Sequence, residues 1–402
     1  MEEKVIALSS WITSQRHLKA TKDSFVMLLP WLMFSTFALF LSSVSWISYH
    51  IKEVIEVIYY VQSGSITLFL LVLISYKLFE ISSSQPLFGV ITTVSMYLII
   101  VLISSMFGYV TSSLYHIEHV LFAIVLAILV DLIHRSVSSV MSYFRIFQFS
   151  SSNMMIPYQQ VISMVIVFII LALTNLLLIL FMQQDIVLLS SRMLYWLLSI
   201  FDSYGFILFV NIGITLFWYV GLHGTNILSM IVTPLSTITL LLNAQAFANQ
   251  MELPYIFAGA INAVFGNWMT YIAMLIVITL IAKSSQLREV GRVARLLTPF
   301  NINEPIIFGM PHIKNKPLLL TMLICTVTNV SVLYWFSRWN LLSRVFVMMP
   351  FTVPSPLQGY LATMDVRVVL LWVALLMVDI MLVLPTIKHL DNDYVQHESE
   401  RR

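Results

Sequence analysis

The sequence predicts an all-α, polytopic membrane protein, and three observations carry that prediction. Hydrophobic residues make up 59% of the 402 residues and charged residues only 10%, against roughly 45–50% and about 25% in soluble chains. Mean hydropathy is +0.91, which leaves too little polar surface to cover a water-soluble globule. The apolar residues gather in runs near the length of about 20 that a helix needs to cross a bilayer. This composition excludes a soluble enzyme and a disordered regulator, and a net charge of only +2 argues against nucleic-acid binding. The single cysteine, Cys325, rules out an intramolecular disulfide framework. Set in an apolar run, it reads as a buried, inert thiol.

Residues 1–24 contain Lys4, Arg16, Lys19 and Lys22, with Val5, Leu8, Ile12 and Leu18 at roughly helical spacing. No short apolar core precedes a small-residue cleavage site, so a cleavable signal is not expected. A cytoplasmic amphipathic helix on the membrane surface is. Candidate spans follow at 25–47, 65–79, 86–108, 119–133 and 160–182, then at 205–222, 226–243, 261–282, 317–336 and 366–386. About ten spans place both termini in the cytoplasm, in keeping with the charged tail. Residues 193–282 hold neither Lys nor Arg, whereas the next loop holds Lys283, Arg288, Arg292 and Arg295. The positive-inside rule puts that loop in the cytoplasm. Residues 185–204 are amphipathic and include Arg192, which suggests a surface linker. The expected organisation is thus an N-terminal helix (1–24), a membrane bundle (25–184), the linker (185–204), a second membrane domain (205–386) and a tail (387–402).

The second membrane domain is interrupted. Pro299, Pro305 and Pro311 break one run, and Pro350, Pro354 and Pro356 break another. Proline removes a backbone donor and clashes with the preceding turn, so neither stretch is one continuous helix. Irregular backbone at membrane depth is tolerated where it is buried in protein or lines a polar cavity, and paired broken segments point to a transporter's binding site. Glu304 lies in the first of these runs, beside Asn301 and Asn303. A charge within the bilayer costs roughly 2.5–3.5 kcal/mol on insertion scales, so Glu304 needs water, a cation or the hydroxyls of a polar ligand. A solvated loop at the interface is the other reading. His223, between Gly221 and Gly224 at a span's end, can bond a ligand or relay a proton, or simply be satisfied by a nearby carbonyl.

Other polar residues are less telling. His116 and His119 flank Glu118 at a spacing compatible with metal ligation, although loop histidines are usually solvated. Asp131 and His134 stand at a span's end, where interfacial water is the expected explanation. Asp379, in the last span, could bond within the bundle, and the sequence assigns it no role. There is no Gly-rich phosphate loop for ATP and no serine or cysteine nucleophile signature, so no catalytic residue, metal or cofactor is expected on this chain.

The string Phe300-Asn301-Ile302-Asn303-Glu304-Pro305-Ile306-Ile307-Phe308-Gly309 resembles the NEP signature of the enzyme IIC permeases of the bacterial phosphotransferase system, most closely their lactose/cellobiose (diacetylchitobiose) family. Gln15 to Ala20 with Asp23 and Phe25, Phe217-Trp218 through Gly221-Leu222-His223-Gly224, and Leu253 to Phe257 are similar to further stretches of that family in the same order. So are Pro350-Phe351-Thr352 through Pro356, and Leu361-Ala362-Thr363 with Asp365. The resemblance implies an elevator-type IIC architecture: a dimerising N-terminal bundle, amphipathic connecting helices, and a transport domain with two re-entrant hairpins around a sugar site. It implies that Glu304 and His223 bond sugar hydroxyls, with Asn301, Asn303, Gly224 and Thr352 lining the same site. Three departures stand out. Gly266-Asn267-Trp268-Met269-Thr270 replaces a glycine-rich hairpin, Phe351 takes a usual tryptophan's place, and Met364 takes a glycine's.

Together these readings lead us to expect a multi-pass IIC permease in the bacterial inner membrane. It would import a β-linked disaccharide of the cellobiose, chitobiose or lactose class, as the transport subunit of a phosphoenolpyruvate-dependent complex. Phosphorylation would come from a phosphocysteine on a separate IIB protein, itself served by IIA. Two alternatives remain at this level: a proton-coupled secondary sugar transporter, and a degenerate permease acting as a membrane sugar sensor.

Overall fold

The structure is a computed structural model that describes residues 2–82, 86–109, 117–143 and 152–400. Helices account for all its regular elements among the described residues. In order they are α1 (Glu2–Ser14), α2 (Arg16–Ser43), α3 (Tyr49–Ser82), α4 (Pro86–Met106), α5 (Val120–Tyr143), α6 (Ser152–Met182), α7 (Ile186–Phe201) and α8 (Tyr204–Tyr219). Then come α9 (Gly224–Ala248), α10 (Ile261–Phe265), α11 (Asn267–Ile281), α12 (Ser285–Leu297), α13 (Glu304–Gly309), α14 (Lys316–Arg338), α15 (Ser355–Thr363) and α16 (Val366–Glu400). Nine helices among the described residues are long and apolar enough to cross a membrane, and ten if the interrupted pair α7–α8 counts as one span. The expected span at 205–222 is the exception. Its helix α8 has 16 residues, about 24 Å at 1.5 Å per residue, which is short of a bilayer core of about 30 Å.

The chain divides into two compact units. One comprises residues 13–32 and 56–199. Its core is built from Phe25, Leu32, Leu70, Ile74, Tyr97, Phe122, Leu126 and Val167, all buried. α6 leaves most of its apolar surface uncovered, as a lipid-facing helix does when lipid tails are as apolar as its leucines. The first membrane helix begins earlier than its apolar run suggests: α2 starts at Arg16 and continues unbroken to Ser43. Arg16 can enter because its guanidinium donates to the Asp131 carboxylate at 2.6 Å, and Arg135 pairs with the same oxygen at 3.2 Å. Asp131 is fully buried, and His134 is packed against Phe79 and Phe88. Interfacial solvation, the expectation for these two residues, therefore gives way to an ion pair at Asp131 and to ring packing at His134. Leaving that carboxylate without a partner would cost several kcal/mol.

Of the proposed histidine pair, His116 lies outside the described residues, and His119 is buried with its Nδ1 3.4 Å from the Tyr97 hydroxyl. Glu118 accepts a hydrogen bond from the Tyr195 hydroxyl at 2.7 Å.

The other unit comprises residues 1–12, 33–55 and 200–402. α11 lies along α16, and α14 packs against both. Their shared core includes Met274, Val277, Ile278, Met322, Cys325, Val383 and Ile387. A second cluster joins Leu240, Phe265, Met269, Leu333, Val345, Trp372 and Leu375. Both proline-interrupted runs are broken as the sequence requires. The first becomes a 3-10 turn (Thr298–Phe300), the two-turn helix α13, and a loop to α14; the second is irregular up to α15. The basic loop after residue 282 forms the amphipathic helix α12. Ser284 caps it by accepting from the Leu287 amide, Leu287 and Ala294 face inward, and Arg288, Arg292 and Arg295 stay exposed.

Candidate functional site

The site grows from the turn at Asn301. This residue ends the 3-10 turn with φ of 63°, in the left-handed region that asparagine tolerates better than most side chains. The turn aims its amide at the second broken run. Nδ2 donates to the carbonyls of Phe351 and Val353, each at 2.7 Å, and Oδ1 accepts from the Ser355 hydroxyl at 2.6 Å. One buried asparagine thus fixes both carbonyls that flank Thr352. Two residues on, Asn303 donates through Nδ2 to the Asn301 carbonyl at 3.2 Å, while its buried Oδ1 has no partner.

Glu304 opens α13, with Pro305 behind it at a position that needs no amide donor. Ile306 is fully buried in the core below, which orients the helix, and Glu304 itself is exposed. An acceptor carboxylate therefore stands on fixed backbone with its oxygens free to meet donors from outside. Beneath it, the Tyr271 phenol is near enough to feel its charge. That hydroxyl is buried without a partner, and so is Nε2 of His312, whose ring lies 6.0 Å from that of Tyr271. Burial holds His312 below its ordinary range, against the opposing pull of its bonds to the Met310 and Ile307 backbone, so it is neutral at physiological pH.

His223 caps α9. Its Nδ1 accepts from the Asn226 amide at 3.2 Å, which in the neutral ring leaves the proton on Nε2 as a donor. The ring lies 4.5 Å from that of Trp218, which in turn meets Phe308 of α13 edge-on at 6.1 Å. Through these contacts the structure joins the His223 turn to the Glu304 helix. Gly224 serves the packing that makes the join: a Cβ there would sit 2.4 Å from the Ile214 carbonyl oxygen, so only glycine lets α9 start this close to α8.

The six residues singled out from the sequence therefore lie on one connected set of elements. Asn301, Asn303 and Glu304 form one strip, Asn301 fixes the backbone on either side of exposed Thr352, and His223 with Gly224 connects through Trp218 and Phe308. Phe308 and Phe351 are 73% and 60% exposed and offer apolar ring faces, Phe308 one turn along α13 from Glu304. Sequence reasoning did not single out Tyr271, Ser355 or His312. A histidine inside a proline-broken apolar run was a usable signal for His312; Tyr271 and Ser355 left none.

Interrupted helices thus bring a carboxylate, amides, an imidazole and exposed rings together in a helical chain of the multi-span membrane class. The chain belongs to the phosphotransferase system EIIC family, whose model matches residues 22–326. It is similar to the lichenan permease IIC component of Bacillus subtilis (strain 168), 35% identical over 155 residues that cover 37% of this chain and 34% of that protein. It is also similar to the cellobiose-specific EIIC component of Lactococcus lactis (27% over 209 residues; 44% of this chain, 41% of that one). These matches span less than half the length of either relative. The crystal structure of ChbC, the IIC component from the N,N'-diacetylchitobiose-specific phosphotransferase system, shares the fold, with a TM-score of 0.85, 20% identity and 99% of both chains covered.

Proposed function

We propose that this chain is a sugar-specific IIC permease that takes up a β-linked disaccharide of the cellobiose, chitobiose or lactose class and presents it for phosphorylation by a IIB phosphocysteine. The observation that carries the reading is the Asn301–Asn303–Glu304 strip, fixed on broken backbone against the Thr352 loop in a chain of the EIIC family. The chemistry suits a saccharide. Glu304 accepts from sugar hydroxyls, His223 Nε2 supplies a complementary donor, the two asparagines hold the backbone around them, and Phe308 and Phe351 cover the apolar face of a ring. The matched relatives are named for lichenan and cellobiose, which supports a β-linked substrate.

In this reading the sugar binds the outward- and inward-facing states with different contacts, and that difference shifts their populations. Phosphorylation on the inner side then traps the product. The working protein is a homodimer in the bacterial inner membrane with both termini in the cytoplasm, and residues 205–386 move as the transport domain.

The test is equilibrium binding of tritiated cellobiose, diacetylchitobiose and lactose to the purified protein and to Glu304→Ala. The expected result is saturable binding of one of these sugars, abolished in Glu304→Ala while its thermal unfolding midpoint stays unchanged. Undiminished affinity in the variant would overturn the assignment of the site.

A further inference from the structure

Away from the sugar site, the interior of the same unit holds a carboxylate whose hydrogen bonding is incomplete. Asp379 of α16 is fully buried. Its Oδ2 accepts from the Thr270 hydroxyl of α11 at 2.9 Å and from Asn329 Nδ2 of α14 at 2.9 Å. Its Oδ1 has no partner, and neither does Oδ1 of Asn329, although Asn329 and Thr270 are fully buried too. Exchanging the oxygen and nitrogen of the amide does not repair this, because it would set two acceptors face to face. The Cys325 thiol lies beside the carboxylate, but a thiol is a weak donor. Three residues earlier on both α11 and α14, Asn267 Oδ1 accepts from the Thr326 hydroxyl at 2.9 Å and from Thr215 at 3.4 Å. A polar seam therefore runs from the start of α11 to Asp379, and its unmet groups are all acceptors.

A hydrogen-bonded acid and amide that each keep a bare, buried oxygen lack a positive charge. We propose that Asp379, Asn329 and Thr270 form a site for one small monovalent cation, a proton or a sodium ion, that is built into this unit. A proton on the free carboxylate oxygen makes Asp379 a neutral acid with a donor of its own. A sodium ion takes the free oxygens as hard ligands. Either one neutralises the carboxylate and ties α11, α14 and α16 together. The site uses none of the residues assigned to sugar, so it stands or falls apart from the transport reading.

Most other titratable groups on the helices around Asp379 lie further along those helices, among them Lys316, Tyr334 and Arg338 of α14 and Arg367, Lys388, His389 and Asp391 of α16. α14 contributes the Cys325 thiol, and α11 the Tyr271 phenol, which feels Glu304. α12 turns Leu287 and Ala294 inward and keeps its charged residues exposed, as α15 keeps Tyr360.

The experiment is thermal unfolding of the full chain in nanodiscs, with sodium replaced stepwise by choline at constant ionic strength, repeated from pH 5 to 9. It is run for wild type, Asp379→Asn and Cys325→Ala. A sodium site predicts a midpoint that rises by several degrees and saturates with sodium but not choline. A proton site predicts no sodium effect and a midpoint that falls as pH rises, because the folded state then loses a proton that it holds more tightly than the unfolded state. In both cases Asp379→Asn, whose amide carries no charge, removes the dependence, and Cys325→Ala, which adds no donor, keeps it. Should Asp379→Asn fail to fold, Asn329→Ala must shift the sodium or pH midpoint. Identical sodium and pH dependence in wild type and the Asp379 or Asn329 variant would overturn the proposal.

Discussion

Asn301 combines a left-handed backbone with a clamp on two carbonyls, and the two demands can be separated by substitution. Asn301→Ala loses the clamp and strains the turn, leaving the Phe351 and Val353 carbonyls without their donor at about 1–3 kcal/mol each. Asn301→Asp keeps the backbone preference and the Ser355 acceptor but supplies no donor. Both are expected to lower the unfolding midpoint and weaken sugar binding, with the alanine variant lower in stability, as thermal denaturation with parallel binding assays would show.

Asp365 gives a pH prediction at the same scale. Burial pushes its carboxyl up, but hydrogen bonds from the Arg367 side chain and the Ser343 and Arg367 amides outweigh that and bring it from 3.8 down to about 2. A folded value below the unfolded one contributes stability that is present above about pH 4 and lost as pH falls toward 2. Asp365→Asn should flatten unfolding curves across that window, and an unchanged slope would count against the assigned bonds. Much at this scale was hidden from sequence. Arg135, one helical turn from Asp131, was a legible partner, but Arg16, the nearer one at 2.6 Å, lies far away in the chain, and the Asn301 clamp likewise joins distant segments. Pairing over such separations leaves no periodic trace.

The interrupted elements were more legible. Proline's missing donor and fixed φ act locally, so the breaks before α13 and within the run ahead of α15 could be placed without knowing the fold. Helix length was less so: α8 ends after 16 residues, where Val220 and Gly221 turn back, although the apolar run continues. The end of α15 was flagged by Met364 in a position where the resembled family has glycine. Met364 sits at φ of 55° as the helix's left-handed C-cap. Met364→Gly removes a strain of about 1–2 kcal/mol, partly offset by the greater freedom of glycine in the unfolded chain. A net gain in the unfolding midpoint is expected. Gly224→Ala works in the opposite direction, because its methyl group would meet the Ile214 backbone rather than a flexible side chain. Forcing α8 from α9 should cost about 1–3 kcal/mol or more, read as a lower midpoint together with weaker binding at His223.

For the whole molecule, composition and span count fixed the class early, because a chain with 10% charged residues cannot present a soluble surface. How the broken segments assemble was beyond the reach of hydropathy, which sees α13 and α15 only as gaps between spans. Their assembly puts Asn301, Asn303 and Glu304 on short broken elements anchored in one unit. The proposed function is inward movement of a β-linked disaccharide for phosphorylation by IIB. The most direct measurement is uptake of radiolabelled cellobiose, diacetylchitobiose and lactose into cells expressing the protein with or without its IIB partner, followed by separation of free and phosphorylated sugar. Intracellular phosphosugar is expected for one of the three, only when IIB is present, and none with Glu304→Ala. Accumulation of free sugar without IIB, driven by the proton gradient, would contradict it.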